Sequence, residues 1–338
     1  RELITMIRTL LTTTASVVAA AAAFADGHFQ PAVIFDLGGK FDKSFNEAAY
    51  NGAEAFKAET GVEYLEFEIT DPSQRESVLR EFAELGANPI VVMGFAQADA
   101  MAAVAPEFPD TNFSIIDVGW LGGDNLRQYI YEEHKGSYLV GVAAALASET
   151  GTVSFVGGMD IPLIRKFACG YELGVKSVNA DAGVIVNMTG TTGAAWNNPT
   201  RGAELARGQF ADGSDVVYGA AGGTTVGVLQ AAADEGKLSI GVDNNMNMLQ
   251  PGSVLTTMLK RVDLAVYESF MSEMNGEFEA GVVVGDVGVA VDENNAALWS
   301  DEIDAAVAAA AAGIEDGSID VFDFTADASA AAGMACAG

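Results

Sequence analysis

The 338-residue chain carries 47 Asp and Glu against 17 Lys and Arg, a formal net charge of −30, and half of its residues are hydrophobic. That balance disfavours nucleic acid and anionic membrane surfaces as partners. With two histidines and two distant cysteines there is no zinc-type spacing and no cofactor is implied, while the length exceeds what one core usually organises, so two domains are expected.

Residues 1–25 read as an export signal. An uncharged run over 10–23 follows Arg8, and Ala23-Phe24-Ala25 offers small residues where a signal peptidase reads, so cleavage is expected after Ala25, into the periplasm. The apolar run is too short to span a bilayer, and no cysteine follows the cleavage point to take a lipid, so no direct membrane anchor is expected. An oxidising compartment permits a disulfide between Cys169 and Cys336, which their spacing leaves open.

A β-branched run at 32–35 ends in Asp36, turns at Gly38-Gly39 and opens a helix at Asp42-Lys43-Ser44-Phe45-Asn46. Phe45, Ala48, Ala49, Gly52, Ala53 and Phe56 fall on one helical face, which packs on a sheet. The first turn, with its N–H groups and Ser44 and Asn46, then either binds a polar small molecule or is an ordinary capped turn. Strands at 63–67, 90–93 and 113–116 alternate with helices, and the pattern restarts with strands at 152–156, 184–186, 216–218 and 240–242 and helices at 163–177, 199–211 and 224–235. Strand alternating with helix means a parallel sheet covered on both faces, here twice.

Extended stretches at 128–132, 254–258 and 282–291 read as three crossings between the lobes, hence a hinge. The boundaries are then 26–130 plus 257–285 for the N-terminal lobe and 131–256 plus 286–338 for the C-terminal lobe, the latter ending in an Ala-rich helix from 301.

Ligands of open parallel sheets sit off the carboxyl ends of the strands. Those ends hold Asp36, Gly94-Phe95, Asp117, Gly157-Gly158, a Gly-rich turn around Gly222, and Asp243. Each aspartate is a ligand group or a surface turn residue; Asp243 can accept two hydrogen bonds from vicinal hydroxyls. Lys260 reaches the same cleft or is a solvated lysine beside Arg261. Trp196, in a polar loop, stacks on a flat ligand or packs across the rim, and Phe41 is the natural opposite face, with Phe95 as the second candidate for it. No nucleophile elbow, phosphate loop or metal motif is present, so the sequence reads as a binding protein rather than an enzyme.

These residues, together with Val156-Gly157-Gly158, Gly170-Tyr171, Gly174-Val175, Ala221-Gly222-Gly223-Thr224, Gly241-Val242-Asp243 and the run from Leu255 through Lys260 to Asp263, resemble the basic membrane protein family of ABC-transporter receptors. The resemblance implies a type I periplasmic-binding-protein fold, two Rossmann-like parallel-sheet lobes joined by a three-strand hinge. It further implies a monomeric periplasmic receptor that closes on a nucleoside, in particular a purine one, and delivers it to inner-membrane ABC permease subunits. Carried over by motif, Asn46 and Asp117 read the base, Asp243, Lys260 and Gly222 hold the ribose, and Trp196 and Phe41 stack. The alternatives are a sugar or autoinducer-like receptor of the same fold and a nucleoside-cleaving enzyme.

Overall fold

A computed structural model describes residues 29–338; the expected export signal lies outside the described residues. The first sheet is built from β1 (Ala32–Phe35), β2 (Leu65–Glu68), β3 (Ile90–Val92), β4 (Phe113–Ile116) and β5 (Leu126–Tyr131), with α1 (Phe45–Thr60), α2 (Gln74–Glu84) and α3 (Ala98–Val104) between them. Its spatial order is β2-β1-β3-β4-β5, all parallel. The pleat explains the sequence of β1. Ala32 and Ile34 enter the core under α2 and α3, whereas Val33 and Phe35 enter the one under α1, so a strand covered on both sides has no polar position.

The chain then repeats this plan. α4 (Glu133–Ala147) leads into β6 (Thr152–Met159), α5 (Pro162–Val178), β7 (Gly183–Gly190), α6 (Pro199–Ala211), β8 (Val216–Ala220), α7 (Thr225–Asp234), β9 (Leu238–Asp243) and β10 (Val254–Lys260). The parallel order is β7-β6-β8-β9-β10. Phe155 packs in one core and Val156 in another, the same two-faced burial as in β1. α8 (Val262–Met274) returns to the first lobe, where Gly52 of α1 sits so close to the backbone of Asp263 that any side chain would clash.

Two short strands complete the sheets: β11 (Gly281–Gly285) lies parallel to β5, and β12 (Val287–Val289) lies antiparallel to β10. α9 (Asp301–Glu315) packs on α4. The C-terminal tail returns to α5, where Cys336 is disulfide-bonded to Cys169 and Glu172 accepts the Ala335 and Cys336 N–H groups.

Two of the expected crossings are corrected. The stretches at 128–132 and 254–258 lie mostly inside β5 and β10, where each pairs as a sheet strand. The chain changes lobe just after them, around Glu132 and Arg261, and again at Asp286 between β11 and β12. The boundary expected at 256/257 therefore cuts a strand that remains in the second sheet to Lys260. A buried apolar run looks the same whether it ends a sheet or leaves one.

Candidate functional site

Both sheets have their order reversal beside their first strand, β1/β3 in one lobe and β6/β8 in the other, and the carboxyl ends there face a common cleft. This is the crevice where open α/β sheets take ligands. The cleft holds about 630 Å³ including its open mouth, within the range of small-molecule sites. Eight of the ten expected residues line it: Asp36, Asn46, Phe95, Asp117, Trp196, Gly222, Asp243 and Lys260.

Asp117 and Asp243 stand at equivalent positions, one just past β4 and one at the end of β9, and both have left-handed backbone, φ 66° and 64°. Asp tolerates that conformation better than most residues. Between the two aspartates Lys260 ends β10, 2% exposed, with its Nζ 2.6 Å from Asp117 Oδ1 and 3.1 Å from Glu133 Oε1. The rings of Phe45, Tyr131 and Phe167 surround the ammonium at 5.0–5.7 Å. Burial alone would lower the Lys260 pKa, but the carboxylates of Asp117, Glu133 and Asp243 outweigh it and hold the group charged. Burial pushes Asp243 up to about 6, against the pull of Lys260 and the Ser44 hydroxyl. Asp117 is raised by the same desolvation, opposed by Lys260.

The first turn of α1 takes the second of the two expected forms, an ordinary capped turn. The Asp42 carboxylate accepts the N–H groups of Ser44, Asn46 and Glu47 at 2.8–3.1 Å, so the helix caps itself. That leaves the Ser44 hydroxyl unengaged at its own helix, and it donates instead to Asp243 Oδ2 at 2.5 Å. Ser44 is absent from the lining and joins the lobes directly. The Asn46 amide is also occupied: Oδ1 accepts from the Asp36 N–H, and Nδ2 donates to the Asp36 carbonyl and to Asp42. The Asp36 carboxylate takes a two-pronged bond from Arg75.

Phe41 is corrected outright. The backbone turns outward at Gly38 and Gly39, φ 121° and 87°, and the ring is 59% exposed, edge-on against Tyr50 of α1 with the Lys40 ammonium 5.0 Å away. The apolar walls are Phe45, Phe95, Leu163, Ile164, Phe167 and Trp196. Trp196 is seated against the Gly158 backbone, where any side chain would strike its ring, so Gly157-Gly158 signals the wall rather than a ligand turn.

The comparisons agree with this geometry. Residues 29–318 match the Bmp family model, described as ABC transporter substrate-binding protein PnrA-like. The chain is 30% identical over 316 residues to the ABC transporter nucleoside-binding protein BmpA of Lactococcus lactis, covering 86% of this chain and 88% of that one. An uncharacterised lipoprotein of Pyrococcus abyssi is 31% identical over 283 residues, 79% of this chain and 68% of that one. Among solved structures, an ABC transporter solute-binding protein of Aeropyrum pernix superposes with TM-score 0.79 at 28% identity, covering 87% and 93% of the two chains. One from Conexibacter woesei, at 24% identity and TM-score 0.71 over 87% of this chain and 99% of that one, shares the fold. The two lobes with a cleft at both sheet reversals are the type I periplasmic-binding fold, and the chain belongs to the Bmp family of ABC-transporter substrate-binding proteins.

Proposed function

We propose that the cleft binds a purine nucleoside and that the chain, acting as a periplasmic monomer, delivers it to the permease of an ABC importer. The observation that carries the reading is the pairing of aromatic walls with strand-end carboxylates. Trp196, Phe45, Phe95 and Phe167 offer faces for a flat base, where stacking contributes roughly 1–3 kcal/mol per base. Asp243, beside Lys260, suits the vicinal hydroxyls of a ribose, and hydrogen bonds to a charged group contribute roughly 1.5–3 kcal/mol. The Asp117 carboxylate lines the cleft with Lys260 on its Oδ1, a position that suits the polar edge of the base.

Charge narrows the class further. The lining includes four aspartates and one lysine, and that lysine is already paired with Asp117 and Glu133, so a phosphate would enter a net negative site. The L. lactis relative, described as nucleoside-binding, supports the same assignment.

Tightly held ligand tends to survive purification when it is present far above its dissociation constant. Denaturing the purified protein and identifying the released small molecule by mass spectrometry should therefore yield a nucleoside. A released hexose would favour the sugar-receptor alternative and overturn the assignment.

A further inference from the structure

Glu133 does not line the cleft, yet it is among the most deeply buried charged side chains of the protein, 1% exposed. It begins α4 immediately after the first crossing. Oε1 lies 3.1 Å from the Lys260 ammonium and Oε2 lies 3.0 Å from the Lys166 ammonium on α5. Lys166 in turn donates to the Tyr131 carbonyl at 2.7 Å and pairs with Asp323 of the tail at 3.2 Å. The close approach of α4 and α5 that makes this possible depends on Gly170 and Gly174, whose Cα atoms abut the backbones of His134 and Tyr138.

The two lobes divide the partners of Lys260 unequally. Lys260 and Glu133 both belong to the second lobe, as do Lys166 and Asp323, whereas Asp117 comes from the first. When the lobes part, the contact with Asp117 is the one that must break; the contact with Glu133 need not. Asp243, also of the second lobe, acts on the ammonium electrostatically. A four-carbon lysine stem released from Asp117 would otherwise be free to swing, at a cost in entropy on each closure.

We infer that Glu133 is a positioning residue: from the second lobe it holds the Lys260 ammonium at the floor of the open cleft, so that ligand and Asp117 meet a preset charge on closure. This rests on the reading of the cleft as the ligand site. Lys166 keeps Glu133 itself in place.

The test has two arms. In the ligand-free protein, side-chain ¹⁵N relaxation of the Lys260 ammonium, assigned by its loss in Lys260→Met, should show an ordered group that becomes mobile in Glu133→Gln. In calorimetric titrations with inosine, Glu133→Gln and Lys260→Met should each weaken binding about fivefold, and the double variant should be no weaker than Lys260→Met alone, since residues acting through one another are non-additive. Should Glu133→Gln fail to fold, Glu133→Asp, which keeps the charge and withdraws it by one methylene, carries both measurements with a smaller effect. An equally ordered Lys260 in the folded variant, or losses that simply add, would overturn the role. A wild type that ignores inosine while its Lys260 loosens in Glu133→Gln would sink the proposed ligand and leave the positioning intact.

Discussion

Asp243 combines a left-handed backbone, nearly complete burial and a bond from the opposite lobe. Asn keeps the backbone tolerance that Ala would lose, so Asp243→Asn isolates the charge. We expect that variant to be at least as stable as wild type at neutral pH but to bind nucleoside at least tenfold more weakly, about 1.4 kcal/mol; equal affinity by calorimetry would remove Asp243 from the site. The pH dependence follows from its pKa, raised by burial from 3.8 to about 6. The stability this group contributes is full below the ordinary value and is lost as pH rises through about 6. A ligand whose hydroxyls donate to the ionised carboxylate runs the other way, so affinity should rise across that interval, and affinity falling with pH there would contradict the assignment. Trp196→Ala should also cost about tenfold or more, roughly the free energy of one stacked base. Asp117 and Asp243 were legible because each directly follows a buried apolar run. Glu133 was not, because its partners Lys166 and Lys260 are distant in sequence and meet only through helix packing.

The strand and helix pattern was readable where burial is two-sided, as in β1 and β3, and less so where it is not. β7 extends over Gly183–Gly190 as a half-buried edge strand, of which only the Val184-Ile185-Val186 centre has an apolar signature. The ends of β5 and β10 read as crossings in the sequence because hydrophobic runs carry no label for the sheet they join. Phe41 and Phe45 lie four residues apart: Phe45, expected to pack on the sheet, also stands in the cleft wall, whereas Phe41, expected in that wall, lies exposed against Tyr50. The disulfide between α5 and the tail closes a sequence separation of 167 residues. Replacing both cysteines with serine should lower unfolding free energy by about 2–4 kcal/mol, read by denaturant titration. Inosine affinity should change less than twofold, since neither cysteine lines the cleft; a large loss of affinity would tie the tail to the site more strongly than the Asp323–Lys166 contact implies.

The lobes are similar in topology and joined at three places, so their natural relative motion is rotation about the hinge. Among the described residues, the polar contacts that cross the cleft include Ser44 to Asp243, Asn51 to Asn244, and Asp117 to Lys260. A ligand that bonds both lobes can therefore supply much of the free energy of closure, and only a ligand with such differential contacts will shift the population. Aromatic walls alone would accept many flat molecules, and carboxylates alone many polyols; under the proposed reading the combination selects a base carrying an uncharged pentose. Calorimetric titration of the wild-type protein with inosine, inosine monophosphate and free ribose in parallel examines that demand directly. We predict one-to-one binding of inosine with a dissociation constant below about 1 μM, a free energy of about −8 kcal/mol, and at least hundredfold weaker binding of the phosphorylated compound and of the sugar. Ribose or the monophosphate binding as tightly as inosine, or no binding of inosine, guanosine or adenosine, would contradict the account.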